Sequence, residues 1–290
     1  MPFPNQAEKA AKLLALHHGP HILVLPNAWD VASARIFEDA GFPAIATSSA
    51  GVANSLGYPD GQNIARDEML EVVARIARAV SAPVTADMEA GYGKTPEDLA
   101  QTAVAIIEAG AVGCNIEDLV QEGSGELFPI ELQQQKIRAM VDAAKKLGVH
   151  LVINARTDIY LEGIGEPATR AVRTAERLNA YRDAGAESLF APGVKDPASI
   201  AQLTRAVRGP LNILATVGIP SVAELEKLGV ARVSVGSGPM RASMGLTSRI
   251  AKHLRDKGTF EIMTDGAMPY LEANRLLEKS RAKQASKQTS

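Results

Sequence analysis

Short apolar runs alternate with amphipathic stretches along most of the chain. Eight runs have the length and composition of buried strands, and the stretches between them repeat with the 3.6-residue period of helices. The predicted strands are His21–Pro26, Ala44–Ser48, Pro83–Glu89, Gly113–Asp118, Leu151–Thr157, Ser188–Pro192, Leu211–Ala215 and Arg232–Ser237. The clearest predicted helices are Thr95–Ala109, Ile130–Leu147, Ala168–Ala184 and Ser221–Leu228. Strands that alternate with helices indicate parallel pairing through right-handed crossovers.

Eight strand–helix units predict an α/β fold of the (β/α)8 TIM-barrel type. A doubly wound open sheet is the alternative, but the turn after the first strand, Leu25–Asp30, lacks the glycine-rich phosphate fingerprint of that fold. There is no linker and no internal repeat, so residues 1–290 are predicted to form a single domain. An extra C-terminal helix is predicted at Pro269–Ser280, followed by a flexible tail at about residues 281–290.

Composition excludes several classes of function. The chain has 290 residues, 46% hydrophobic and 22% charged, with a formal net charge of −2, which favours neither nucleic acid nor a membrane surface as a partner. Aromatic residues make up 4%, too few for a surface that stacks bases. The single cysteine, Cys114, is compatible with a reducing cytoplasm. We see no secretory signal and no apolar stretch near the roughly 20 residues of a membrane span.

Polar residues collect where the predicted strands end, which is where the active site of such a barrel lies. Asp87 and Glu89 are two apart, so their side chains point the same way on a strand. Carboxylates crowded at one strand end repel each other unless a cation lies between them, and Mg²⁺ prefers such oxygen ligands. A solvated acidic loop is the alternative. The other polar strand ends are Asn27 and Asp30, Thr47–Gly51, Glu117 and Asp118, Asn154–Asp158, Asn212, and Ser237.

Arg156 follows the apolar run Leu151–Ile153 and should point into the barrel mouth. Its planar guanidinium can bind a carboxylate through two parallel hydrogen bonds. The alternative is a structural ion pair with Asp158, Glu117 or Asp118. Small residues at Ser48–Gly51 could offer backbone N–H groups to an anion.

Several motifs, in this order, make the chain resemble the isocitrate lyase/phosphoenolpyruvate mutase superfamily, in particular its short bacterial branch of 2-methylisocitrate lyase-like proteins. The likeness covers roughly Ala11 to Ala242. It rests on Pro26–Arg35, Thr47–Gly51, Asp60-Gly61, Ala86–Gly93, Ile116–Asp118 and Asn154–Asp158. The resemblance implies an eight-stranded α/β barrel, a homo-oligomer (tetramer or dimer) with its last barrel helix exchanged between subunits, and chemistry beside a 2-oxo acid with Mg²⁺, or Mn²⁺ in its place.

The resemblance also implies residue roles. Asp87 would be the principal metal ligand, and the waters on the metal would be held by Asp60, Glu89 and Glu117. The carboxylate and oxo groups of the substrate would bind Ser48, Ser49 and Ala50. Arg156 would clamp the substrate, with Trp29 and Asn212 as further substrate-binding candidates. The catalytic candidates are Arg156, Glu117 and Tyr92.

Three departures from the family pattern narrow the prediction. The loop Leu119–Phe128 lacks the Cys and His with which the family's lyases transfer protons, which argues against isocitrate and methylisocitrate as substrates. Gly238 replaces a His found after the last strand in other members, which weakens an oxaloacetate decarboxylase assignment. Glu89 stands where Asp is common, and its longer side chain would shift the metal or replace one water.

The sequence thus predicts a Mg²⁺-dependent lyase that breaks a C–C bond in a small 2-oxo or 2-hydroxy (di)carboxylic acid through an enolate-like intermediate. The proton would come from Glu122, Glu126, Tyr92 or water. The alternatives are a mutase or hydrolase acting on the P–C bond of a phosphonate, and a catalytically silent protein that binds a 2-oxo acid.

Overall fold

The computed structural model describes residues 5–121 and 123–278, and its strands form one parallel sheet. The strands are β1 (Leu23–Leu25), β2 (Asn27–Ala28), β3 (Ile45–Thr47), β4 (Val84–Asp87), β5 (Gly113–Glu117), β6 (Val152–Arg156), β7 (Ser188–Phe190), β8 (Leu211–Leu214) and β9 (Arg232–Ser234). The sheet order is β1-β9-β8-β7-β6-β5-β4-β3-β2. Because β1 and β2 are consecutive in sequence and lie at opposite ends of this order, the sheet closes into a barrel. The predicted TIM-type fold is confirmed.

The first predicted strand, His21–Pro26, is present as Leu23–Leu25, and a short strand that was not predicted, Asn27–Ala28, follows it. Pro26, which has no N–H to donate to a ladder, separates the two strands. Leu25 pairs with Ser234 of β9 on one side of the break, and Asn27 pairs with Ala46 of β3 on the other. The remaining seven predicted strands are each present, with shorter ends. The break therefore marks where the two edges of the sheet meet.

The helices lie between the strands as predicted. They are α1 (Gln6–His17), α2 (Val31–Asp39), α3 (Ser49–Ser55), α4 (Arg66–Ala79), α5 (Pro96–Glu108), α6 (Ile130–Lys146), α7 (Arg170–Asp183), α8 (Pro197–Ala206), α9 (Val222–Lys227), α10 (Gly238–Lys257) and α11 (Glu261–Thr264). Local sequence specifies several starts. At α5, the Thr95 hydroxyl accepts from the Asp98 amide while the Asp98 carboxylate accepts from the Thr95 amide, and Pro96 opens the helix.

Helix α1 closes the N-terminal end of the barrel. Ala10 and Leu13 are fully buried and belong to one apolar cluster with residues in or just before the strands, namely Leu23, Leu25, Ala44, Ala46, Val112 and Val152. The burial of this apolar face stabilises the bottom of the barrel. The opposite, C-terminal end is where the loops with polar residues converge.

Asn27 joins the edges of the sheet at the seam. Its side-chain amide donates to the Thr47 carbonyl (2.8 Å), and its side-chain oxygen accepts from the amides of Val235 and Gly236 (2.9 Å each). The side chain is buried. Asn27 therefore satisfies three backbone groups on the strand segments that flank the closure.

The C-terminal part extends from the barrel with little burial. Residues 270–278 are helical, which confirms the predicted C-terminal helix as far as residue 278; residues 279–280 and the predicted tail lie outside the described residues. Between residues 238 and 278, Met240 and Leu276 are the two buried side chains. Within the described part of the chain, no helix is long and apolar enough to cross a membrane.

Candidate active site

A cavity of about 150 Å³ opens at the C-terminal ends of β3 to β6. Its polar lining residues are Ser49, Asp60, Gln62, Glu89, Glu117, Gln121, Arg156 and Glu162. A larger cavity of about 570 Å³ lies at the opposite end, beside α1, and holds none of the predicted site residues. Because barrel active sites lie at the C-terminal face, and because the acidic residues meet there, the smaller cavity is the candidate active site.

Asp87 ends β4 and is held firmly by its neighbours. The Ser49 amide and hydroxyl both donate to Oδ2 (3.0 and 2.9 Å), and the Asn115 side chain donates to Oδ1 (3.2 Å). A carboxylate has about four acceptor positions, so these three bonds leave one, on Oδ1. The Asp87 carboxylate is thereby oriented to offer a cation a single oxygen position.

Of the Ser48–Ala50 segment, Ser48 and Ser49 use on the protein itself the amide and hydroxyl groups that were predicted to bind substrate. The Ser48 amide donates to the Ala28 carbonyl (3.0 Å), and the Ser48 hydroxyl accepts from the Gly51 amide (3.1 Å), which caps α3. Ser49 serves Asp87 and also lines the cavity. The segment therefore positions the acidic cluster, and Ser49 is the member of it that reaches the cavity.

Glu89 is buried in a strained turn. Its φ of +50° and that of Tyr92 (+56°) lie in the left-handed region, which side-chain-bearing residues seldom adopt. Its carboxylate accepts from the Gln62 amide (2.6 Å) and from the Tyr92 hydroxyl (3.1 Å). Burial, followed by the negative charges of Asp60 and Asp87, raises the pKa of Glu89 to about 7. These acids form a cluster whose negative charge a cation would offset.

Glu117 and Arg156 are partners across β5 and β6 and form an ion pair (Oε2 to Nη1, 2.7 Å). Arg156 Nε also binds Asp158 Oδ1 (2.6 Å). Burial raises the pKa of Glu117 and the Arg156 charge opposes that rise. Burial alone would lower the pKa of Arg156, but Asp158 and Glu117 raise it overall, so the guanidinium stays charged. Arg156 therefore forms the structural ion pairs with Glu117 and Asp158 that were the alternative to substrate binding. These ion pairs use Nη1 and Nε of the guanidinium and leave Nη2 for a ligand.

The acids do not surround one point. Among the described residues, no three His, Cys, Asp or Glu side chains converge closely enough to hold one ion directly. A hydrated ion that contacts Asp87 alone, while the other acids bind its waters, is compatible with this spacing because Mg²⁺ usually keeps several waters. The donor set therefore fits a hydrated, oxygen-bound divalent cation.

Other predicted residues lie away from the cavity lining. Asn212 is fully buried inside the barrel, where it exchanges hydrogen bonds with Ser234 (3.2 and 3.4 Å). Trp29 packs against the core close to Gly51. Tyr92 acts on Glu89 through its hydroxyl. Of the candidate proton donors, the Glu126 side chain is exposed, and Glu122 lies outside the described residues.

Asp118 and Asp158, although they follow strand ends, are fully buried structural acids. Asp118 accepts from the Tyr181 hydroxyl (2.7 Å), from Arg177 (3.1 Å) and from the Asp158 amide (3.1 Å). Asp158 in turn holds Arg156. Asp158 fixes the Arg156 guanidinium directly, and Asp118 helps by holding the backbone of Asp158.

Sequence reasoning missed Asn115 and Arg232, which support Asp87 from inside the barrel. Arg232 of β9 reaches across to Asn115 Oδ1 on β5 (3.2 Å), which also accepts from Asn154 (2.8 Å). Burial lowers the pKa of Arg232 to about 9, against the opposing effect of Asp87. Asn115 could have been found from the sequence, because it lies two residues before Glu117 and its side chain therefore points to the same side of the strand. Arg232 could not, because its contact crosses the whole barrel.

Comparison with known proteins places this chain in a family. Residues 13–255 match the family model described as phosphoenolpyruvate phosphomutase. A solved structure from Burkholderia cenocepacia J2315, provisionally described as a lyase/mutase, has a TM-score of 0.87 and 42% identity, covering 93% of this chain and 95% of that one.

Two curated relatives have named activities. The 2-methylisocitrate lyase of Escherichia coli (strain K12) is 33% identical over 80% of this chain and 79% of its own. The oxaloacetate decarboxylase of Rhodopseudomonas palustris (strain HaA2) is 30% identical over 91% of both chains. The chain therefore belongs to the phosphoenolpyruvate phosphomutase family of the isocitrate lyase/phosphoenolpyruvate mutase superfamily, and it is an enzyme of this group of lyases and mutases of small acids.

Proposed function

We propose that this enzyme breaks a C–C bond in a small 2-oxo or 2-hydroxy acid with one or two carboxylates, in the presence of Mg²⁺ or Mn²⁺. The observation that carries the proposal is one small cavity lined both by the acids Asp60 and Glu89 and by Arg156, with the charge of Asp87 acting on Glu89. Such a site can hold a cation on one side and a substrate carboxylate on the other.

Asp87 would hold the cation through its remaining Oδ1 position, with Ser49 and Asn115 fixing the carboxylate. Asp60, Glu89 and Glu117 would bind its waters. When bound, the cation supplies Lewis-acid stabilisation of the negative charge that develops on the 2-oxo oxygen.

Arg156 would bind a substrate carboxylate through Nη2, while Asp158 holds the guanidinium through Nε. Glu117 already pairs with Arg156 and would orient it toward the substrate. Tyr92 would keep its proton, since burial and the nearby Glu89 raise the pKa of its hydroxyl. Tyr92 then serves to hold Glu89 by donating to it. The remaining candidate proton donors are Glu122, Glu126 and water.

P–C bond chemistry on a phosphonate is the second candidate, and the match to a phosphoenolpyruvate phosphomutase model favours it. Both reactions develop negative charge beside a 2-oxo acid, so the same residues would serve either one. Analysis of the products separates the two reactions.

The test is turnover of a panel of 2-oxo acids, 2-hydroxy acids and phosphonates, with and without Mg²⁺. We expect Mg²⁺-dependent C–C cleavage of at least one acid and loss of both activity and calorimetric Mg²⁺ binding in Asp87→Ala. Asp183→Ala, which removes an exposed carboxylate paired with Arg208, is the control and should change neither. Turnover of phosphonates alone would favour the second candidate, and unchanged Mg²⁺ affinity in Asp87→Ala would remove the metal site.

Isocitrate and 2-methylisocitrate should be poor substrates. The loop Leu119–Phe128 has no Cys, and a general acid–base group contributes about 10²–10⁴-fold to a rate. Turnover of either acid in the usual range of roughly 1–10³ s⁻¹ would contradict this expectation.

We further propose a cytoplasmic homo-oligomer, a tetramer or dimer, in which α10 and the helix at residues 270–278 pack on a neighbouring subunit. The support is exposed apolar surface, which usually marks an interface when it is extensive. It comprises Met244, Leu246, Leu254, Phe260, Met263, Met268, Tyr270, Leu271 and Leu277. Light scattering of the full chain would measure the state, and a monomer would contradict it.

A further inference from the structure

Three apolar side chains interrupt the polar lining of the cavity. Leu119 and Val120 follow β5, and Leu161 follows β6. These two strands are neighbours, and they carry the paired Glu117 and Arg156. The apolar side chains therefore line the same part of the cavity as the guanidinium.

The backbone holds this apolar wall in place. Leu119 and Leu127 pair as an isolated antiparallel β-bridge, and the Val120 backbone amide donates to the Glu126 carbonyl (2.9 Å). On the other side, Gly193 has a φ of +87°, and a Cβ built there would lie 2.7 Å from the Leu161 amide nitrogen. Such close backbone packing fixes where the Leu161 side chain begins.

The charges of the cavity limit how many carboxylates a ligand can carry. Among the described residues that line it, Arg156 is the one cation, against the acids Asp60, Glu89, Glu117 and Glu162. A divalent cation would offset part of this negative charge. One ligand carboxylate can pair with Arg156, and a second can lie at the cation. A third carboxylate would have no cation to pair with and would be repelled by the acids of the lining.

We propose, on the basis of the function proposed above, that the cavity selects acids with at most two carboxylates and a short alkyl branch, and that Leu119, Val120 and Leu161 recognise this branch. An alkyl group beside the carboxylate bound to Arg156 would bury apolar surface against the three side chains. The volume of about 150 Å³ is below the range of roughly 300–1,000 Å³ of drug-sized ligand pockets. The cavity is therefore tested with branches of one or two carbons.

The experiment is calorimetry of the full chain with Mg²⁺ and two ligand series. The first compares pyruvate, 2-oxobutanoate and 3-methyl-2-oxobutanoate; the second compares malate, 3-methylmalate and citrate. Each added methyl group should tighten binding by about fourfold, the equivalent of one buried CH₂. Citrate, with its third carboxylate, should bind at least about tenfold more weakly than malate.

Leu161→Asn keeps the size of the side chain and removes its apolar character. Leu161 is 45% exposed, so the variant should fold. In this variant, each added methyl group on the ligand should tighten binding by about twofold or less. Leu147→Asn, at a half-exposed position after α6 (38%), is the matched control and should keep the full effect. If Leu161→Asn also keeps it, the double variant with Val120→Asn is measured, and an effect that persists there overturns the role of the wall.

The outcomes separate this inference from the function on which it rests. Equal affinities within each series, or citrate binding as tightly as malate, would overturn the inference while leaving a small-acid enzyme. Failure of every acid to bind in the presence of Mg²⁺ would overturn the proposed function itself. Graded affinities in the wild type that flatten in Leu161→Asn support both.

Discussion

Two halves of the barrel both carry polar residues but use them differently. Every residue that lines the candidate cavity comes from β3 to β6 or from the loops after them, between residues 49 and 162. In the other half, Asn27, Asn212, Ser234 and Arg232 are buried and bonded to other protein groups. The first half leaves acids with excess negative charge, whereas the second closes and braces the barrel. A polar residue on a barrel strand is thus a site residue only where it leaves charge or hydrogen-bonding capacity for a ligand.

The largest expected effect is a loss of stability caused by a substitution in the half that closes and braces the barrel. Asn27→Ala would leave the Val235 and Gly236 amides without their acceptor and the Thr47 carbonyl without its donor at the seam. Buried unsatisfied groups each cost about 1–3 kcal/mol, so the free energy of unfolding should fall by about 4 kcal/mol. Urea denaturation measures this loss.

The control is Asn54→Ala, which removes a half-buried side chain that donates to the Tyr58 carbonyl; it should change stability by about 0.5 kcal/mol or less. Ligand affinity per folded molecule should be the same in Asn27→Ala as in the wild type. A change in that affinity with little change in stability would place Asn27 in the site and contradict the division between the halves.

The next effect tests the excess charge of the acidic half, in buffer with EDTA. The pKa of Glu89 is about 7 in the folded chain, above its ordinary value of 4.5. The folded state therefore binds more protons than the unfolded state between these values, so stability should fall as pH rises from about 4.5 to about 7. The loss should be up to about 3 kcal/mol.

Glu89→Gln should remove this part of the pH dependence, since the amide does not titrate. Glu97→Gln, at an exposed position on α5, should retain the wild-type profile. Denaturation midpoints measured from pH 4.5 to 8 provide the comparison. Superimposable profiles for Glu89→Gln and the wild type would mean that the acidic cluster does not carry the excess charge.

The smallest expected effect concerns the ligand. Arg156→Lys keeps the charge but loses the planar fork, and a hydrogen bond to a charged group contributes roughly 1.5–3 kcal/mol. Affinity for the best acid of the panel should fall about ten- to a hundredfold, with little change in melting temperature. Arg75→Lys, which alters an exposed pair with Glu71, is the control. If melting collapses while affinity per folded molecule holds, Arg156 belongs with the bracing residues.

The sequence by itself determined the element order, because periodicity, caps and turn glycines are local. Capping at Thr95 and the alternation of eight apolar runs led to the barrel, and the crowding of Asp87 and Glu89 on one side of a strand led to the acidic mouth. The end of the first strand at Pro26 was predicted, since proline lacks a donor, but the short strand Asn27–Ala28 after it was not.

Only the tertiary structure decided which polar strand residues face the cavity. Asn212 and Asp118 follow the same strand pattern as Glu117, yet both are buried and bonded to the protein. Ser49 was predicted to face substrate, but it donates both of its groups to Asp87. Asn115 and Arg232 meet across the barrel although 117 residues separate them in sequence. Local sequence encodes backbone conformation, whereas such contacts depend on barrel closure, which brings opposite strands within hydrogen-bonding distance.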